Sequence, residues 1–123
     1  MADQQFDIVV LGGGSAGYAT AIRATQLGFS AAVIEKDKLG GTCLHRGCIP
    51  TKAFLKSADV FDTVKRAKEF GINIDGQISF DYSTALSRSL SVVDKQYKGL
   101  LWLFEKKHKI PVFLGRGRLI DAN

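Results

Sequence analysis

Phe6-Asp7-Ile8-Val9-Val10-Leu11-Gly12-Gly13-Gly14-Ser15-Ala16-Gly17 is the stretch on which the fold turns. The apolar run Phe6 to Leu11 ends in glycines, the pattern of a buried parallel strand. A helix is expected from Ser15 to Leu27, with Ala19, Ile22 and Ala24 among its apolar residues and Gly28 as its stop. Ala31-Ala32-Val33-Ile34 predicts a second buried strand, ended by Glu35. Strand, turn, helix and strand make one right-handed βαβ unit.

The turn itself, Gly12-x-Gly14-x-x-Gly17, matches the dinucleotide-binding pattern. Gly12 permits a tight exit from the strand, Gly14 lets backbone N–H groups approach a pyrophosphate, and Gly17 lets helix and strand pack closely. The helix N-terminus supplies free N–H groups and a positive dipole end. Glu35 follows Gly17 by eighteen residues, near the usual spacing of about twenty. A carboxylate there can accept from both hydroxyls of an adenosine ribose and would repel a 2′-phosphate. The fingerprint does not by itself choose between NAD and FAD.

Outward from this unit, Asp37 to Gly47 reads as a loop holding Cys43. Pro50 suits the first turn of a helix running to about Glu69, with Phe54, Phe61, Val64 and Phe70 on one face and Gly71 after it. Asp75-Gly76 signals a turn. A long helix is expected from Tyr82 to Lys107, with Leu86, Leu90, Val93, Tyr97, Leu100 and Phe104 as its apolar stripe. Ile110 to Leu114 predicts a third strand, with Pro111 tolerated near its start. Gly115 to Leu119 reads as a further extended piece. The fold class is α/β: a Rossmann-like dinucleotide-binding domain with a parallel sheet. Three strands and three helices are few for a doubly wound sheet, so a section of a longer protein is expected.

Cys43 and Cys48 are the two cysteines of the 123 residues. On a regular helix, residues five apart sit about 140° apart in azimuth and about 7.5 Å apart along the axis. A bond between them would therefore need a loop or a distorted turn, for which Gly47 gives the freedom. Cys48 then lies near a helix N-terminus, whose dipole favours a thiolate, and His45 and Arg46 stand ready to add positive potential. These features suit a reversible redox couple better than a permanent staple. Unpaired core cysteines are one alternative reading. A zinc site is another, although only His45 stands nearby and a four-ligand set is not completed.

Gly40-Gly41-Thr42-Cys43-Leu44-x-x-Gly47-Cys48-Ile49-Pro50-Thr51-Lys52, taken with the glycine fingerprint and Glu35, resembles the pyridine nucleotide-disulfide oxidoreductase family. The likeness extends through Tyr97-Lys98-Gly99-Leu100 and Gly115-x-Gly117 and covers the whole chain. It implies that the bound dinucleotide is FAD, with NAD held by a second glycine motif elsewhere in a longer protein. It implies that Cys43 is the interchange thiol that meets substrate and Cys48 the thiol beside the flavin. Lys52 resembles a lysine near the flavin N5, and Gly117 a residue whose backbone approaches the adenine side. The cofactor-binding set so implied is Gly12, Gly14, Ser15, Gly17, Glu35, Lys36, Gly41, Thr42, Lys52 and Gly117.

Leu44 and Ile49 lean toward the lipoyl-oxidising branch, whereas His45-Arg46 replace a common Asn-Val and Thr51 a common Ser. Glutathione or mercuric reductase-type enzymes, and a non-catalytic nucleotide-binding redox sensor, are the other readings. The resemblance further implies electron flow from a lipoyl dithiol of a 2-oxoacid dehydrogenase-type complex, or another small disulfide couple, through FAD to NAD. The whole enzyme is expected to be a homodimer with NAD-binding and dimerisation domains outside residues 1–123, and these residues alone are expected not to turn over.

Composition narrows the remaining classes. Hydrophobic residues make 46% and charged residues 24%, ordinary values for a globular protein. The net charge of +5 is spread along the chain, and its densest cluster, Lys106-Lys107-His108-Lys109, suits a solvated helix end. No aromatic-and-basic pattern suggests nucleic acid. No segment reaches transmembrane length and no signal-peptide pattern opens the sequence, so a cytoplasmic protein is expected.

Overall fold

The computed structural model describes residues 4–121. Its sheet has three parallel strands in the order β1-β2-β3: β1 is Ile8–Leu11, β2 is Ala31–Glu35 and β3 is Val112–Leu114. Ile8 stands opposite Ala31, Val10 opposite Val33, and Val33 opposite Val112. Helix α1, Ser15–Gln26, joins β1 to β2 as the glycine pattern predicts. Its small buried residues Ala21 and Ala24 let it lie close on the sheet.

Strands alternate their side chains between two faces. One face, carrying Ile8, Val10, Ala31, Val33 and Val112, packs into a single core with Ala21, Ala24, Leu39, Leu44, Leu100, Phe104 and Ile110. The other carries Val9, Leu11 and Phe113, which remain 53%, 55% and 41% exposed. The expectation of a fully buried first strand is corrected here. Among the described residues β1 is an edge strand covered on one side. β2, between two neighbours, is buried almost throughout.

The segment expected as a loop, Asp37 to Gly47, contains a six-residue helix, α2, Gly41–Arg46. Gly47 separates it from α3, Cys48–Lys65, which continues through a 3₁₀ turn at Ala67–Phe70. Helix α4 covers Tyr82–Trp102 and passes into a π-helical turn at Leu103–His108. Asp81 caps α4, its Oδ1 accepting from the N–H groups of Ser83 at 2.9 Å and Thr84 at 3.2 Å.

The expected α4 stripe holds only in its second half. Leu100 and Phe104 are buried, whereas Leu86 and Leu90 are 39% and 59% exposed. In the first half the buried residues are Ala85 and Ser89. Their small side chains let α3 approach: Ser89 Oγ donates to the Pro50 carbonyl at 3.3 Å and Arg88 Nη1 to the Ala53 carbonyl at 3.0 Å. The third strand starts at Val112, with Pro111 placed just before it and its carbonyl accepting from Val33 N–H. Gly115 to Leu119 forms no strand. No described helix is long and apolar enough to cross a membrane.

Candidate functional site: a glycine cradle beside a disulfide

The C-terminal ends of β1 and β2 hold the sequence-predicted site together. Gly12 leaves β1 with φ of +98°, a conformation that glycine adopts at little cost. Its N–H donates to the Ile34 carbonyl at 2.8 Å, fixing the turn to β2. A Cβ at Gly17 would run into the Gly12 carbonyl oxygen, so close helix–strand packing is the role of that glycine. A Cβ at Gly12 or Gly14 would meet nothing within 4 Å, so the space over the loop is open. No side chain caps α1 and no acidic residue stands in its first turn. The free N–H groups and positive dipole end therefore face that space. Ser15, exposed, is the first residue of the helix.

Glu35 is buried at the end of β2. Its Oε2 accepts from Gly13 N–H at 2.7 Å and its Oε1 from Asp37 N–H at 2.9 Å. The Asp37 N–H first, then those of Gly13 and Lys36, hold its carboxyl below the ordinary glutamate range, against the opposing effect of burial. Each oxygen accepts one backbone hydrogen bond shorter than 3 Å and keeps lone-pair capacity besides. An ionised, oriented acceptor next to an open glycine cradle fits the ribose and pyrophosphate of a dinucleotide. The Lys36 side chain is exposed to solvent. Gly115 N–H donates to the Glu35 carbonyl at 2.8 Å, and Gly117 lies against Leu11 and Ile34 at the same end of the sheet.

Gly41 brings the second half of the site against the first: a Cβ there would stand 2.8 Å from Gly14 Cα. Two residues outside the implied cofactor-binding set, Gly13 and Gly40, complete this contact. Gly40 N–H donates to the Gly13 carbonyl at 2.7 Å, and Gly40 has φ of +105°. The consecutive glycines at 12–14 and 40–41 were the available signal.

Cys43 and Cys48 form a disulfide, with Cα atoms 4.7 Å apart. The distorted turn that such a bond demands is the break at Gly47 between α2 and α3. A Cβ at Gly47 would meet the Thr42 carbonyl oxygen at 3.1 Å and Cys43 Cα at 3.3 Å. Cys48 is the first residue of α3 and is exposed; Cys43 is half-buried and Thr42 exposed. Lys52 stands one turn along α3 from Cys48, as its spacing predicts, and is exposed.

His45 and Arg46 are turned to other work than that expected. His45 Nε2 donates to the Leu39 carbonyl at 2.9 Å, with its ring edge-on to Tyr97 at 4.9 Å. The Arg46 guanidinium pairs with Asp37 at 2.8 Å. Cys48 stands at the N-terminus of α3, whose dipole contributes positive potential there.

An apolar cleft of about 430 Å³ opens at Cys43, walled by Tyr18, Leu44, Ile49, Leu100 and Trp102. Among the described residues no cluster of His, Cys, Asp or Glu is placed to hold a metal ion.

A parallel βαβ unit with an open glycine cradle, joined to a disulfide at a helix N-terminus, defines a dinucleotide-binding thiol-redox domain. The chain belongs to the pyridine nucleotide-disulphide oxidoreductase family, whose model matches residues 6–123. It is 50% identical over 97% of its length to the dihydrolipoyl dehydrogenase of Bacillus subtilis. It is 44% identical over 98% of its length to that of Acholeplasma laidlawii, and 45% over 94% to that of Chlorobaculum tepidum. The chain spans 25%, 35% and 24% of the length of these three relatives.

Proposed function

We propose that residues 1–123 form the N-terminal part of the FAD-binding domain of a dihydrolipoyl dehydrogenase-type enzyme. The observation that carries this reading is the contact of Gly41 with Gly14, which sets the disulfide helix directly on the dinucleotide cradle. Gly12, Gly14 and Ser15 would receive the pyrophosphate, with Gly17 letting the helix that presents it pack on the strand, Glu35 the adenosine ribose, and Gly117 the adenine side. Lys36, Gly41, Thr42 and Lys52 would complete the contacts. When bound, FAD would supply the acceptor for the electron pair, with NAD as the onward acceptor in the whole enzyme.

The chain's own residues perform the thiol chemistry. One thiolate of a dihydrolipoyl group attacks Cys43 Sγ, and the Cys43–Cys48 bond breaks with Cys48 leaving as thiolate. The second substrate thiol, losing its proton, then attacks the mixed disulfide. This closes the lipoyl ring and releases the Cys43 thiolate. The substrate loses two electrons and two protons; the cysteine pair takes the two electrons and the protons pass to solvent. The apolar cleft at Cys43 suits an aliphatic dithiol arm, and the N-terminus of α3 lowers the cost of the Cys48 thiolate. NAD binding, homodimer formation and docking to a 2-oxoacid dehydrogenase-type complex in the cytoplasm belong to the whole enzyme in this reading.

Anaerobic titration of the FAD-loaded protein with dihydrolipoamide tests it. A long-wavelength absorbance band from thiolate and flavin is expected, lost in Cys48→Ser. A bound flavin whose spectrum ignores dihydrolipoamide would exclude the lipoyl substrate, and absence of flavin binding would exclude the cofactor.

A further inference from the structure

The connector between Glu35 and α2 is bound at both ends. On the nucleotide side, Asp37 N–H holds Glu35 Oε1 at 2.9 Å and Gly40 N–H holds the Gly13 carbonyl at 2.7 Å. On the disulfide side, Arg46 holds the Asp37 carboxylate at 2.8 Å and His45 Nε2 holds the Leu39 carbonyl at 2.9 Å. The donors of the second pair are the two residues between Leu44 and Gly47, inside the ring closed by the disulfide. Every bond in this path joins residues of the connector to one flank or the other, so the Glu35 carboxylate is oriented by a segment that α2 holds down.

We propose that His45 and Arg46 are positioning residues that couple nucleotide binding at Glu35 to the redox state of Cys43–Cys48. The inference rests on the reading that Glu35 receives an adenosine ribose. The disulfide fixes the last turn of α2, and with it the two donors that clamp the connector. Reduction of the pair by two electrons and two protons frees that turn and loosens the clamp. Glu35 must then be ordered when the ribose binds, which weakens binding. Linkage requires the reverse effect to be equal: nucleotide makes the disulfide harder to reduce. The Arg46–Asp37 pair is exposed and contributes the smaller part. The His45 bond is partly buried and ring-packed against Tyr97, and carries the larger part.

The test uses ADP as probe and glutathione as the thiol reductant, with the cysteines counted by alkylation and mass spectrometry. In the wild-type chain, saturating ADP should lower the equilibrium constant for disulfide reduction by roughly fivefold. His45→Phe combined with Arg46→Met keeps the ring against Tyr97, and should bind ADP yet lose most of that shift. His45→Gln, which retains an amide donor at similar reach, should restore it; circular dichroism checks that each variant is folded. ADP that binds the wild type without moving the equilibrium overturns the coupling alone, as does an undiminished shift in the double variant. Failure of ADP to bind the oxidised wild type overturns the Glu35 reading and the coupling with it.

Discussion

The two glycine turns of this chain, Gly12 to Gly17 and Gly40 to Gly47, look alike in sequence and do opposite things. In the first, Gly12 and Gly14 border open space. In the second, a Cβ would strike Leu44 from Gly40, the Gly14 backbone from Gly41, and Thr42 and Cys43 from Gly47. One turn leaves room for a ligand. The other uses the missing side chains to fold the backbone against itself and bring two sulfurs together. A glycine-rich stretch therefore carries two signals, and only the surroundings of each missing Cβ distinguish them.

Substitutions at single glycines can break or sharpen this contrast. The largest effect is expected at Gly17, where a side chain would meet backbone: Gly17→Val should cost about 3 kcal/mol or more in urea unfolding, because neither the Gly12 carbonyl nor the helix can move aside. Wild-type stability in that variant would contradict the packing role. Gly47→Ala should cost about 1–2 kcal/mol and make the disulfide easier to reduce, since the Thr42 carbonyl and Cys43 must both give way. A glutathione redox titration reads the second effect, and an unchanged midpoint would separate the helix break from the sulfur geometry.

Glu35 links the two turns and gives a smaller, pH-dependent effect. Glu35→Gln places an amide donor against one of two backbone N–H groups and should cost about 1–2 kcal/mol at neutral pH. The folded-state pKa of Glu35 lies below its ordinary value of 4.5. Its contribution is therefore fully present above about pH 4.5 and is lost as the pH falls through the folded value. The stability gap between wild type and Glu35→Gln should narrow over that acid range; a constant gap would mean that the carboxylate charge contributes nothing.

The first turn and its βαβ unit were legible because the signals are local: a strand-length apolar run, three spaced glycines, and an acid at the end of the next strand. The helix Gly41–Arg46 was not, since six residues between glycines show no period. The Cys43–Cys48 bond was legible from the family motif and, in geometry, as a demand for a distorted turn, which the Gly47 break meets. The α4 stripe misled at Leu86 and Leu90 because helix contact there is made by Ala85 and Ser89, whose smallness rather than hydrophobicity lets α3 approach. The exposed face of β1 was likewise illegible, because an apolar run does not say whether both of its faces have partners. His45 and Arg46 were read for charge, and the structure shows them holding a carbonyl and a carboxylate instead.

Gly14 isolates the central claim, that the first turn is open in order to receive a dinucleotide. Its φ of −68° suits alanine, and among the described residues no atom stands where the new methyl would lie. Equilibrium dialysis of FAD against wild type and Gly14→Ala, with circular dichroism confirming the same fold, is the direct measurement. Binding by the wild type and a loss of roughly tenfold or more in the variant are expected, because the methyl occupies the approach of the pyrophosphate. Equal affinity in the two proteins, or no binding by the wild type, would contradict that claim.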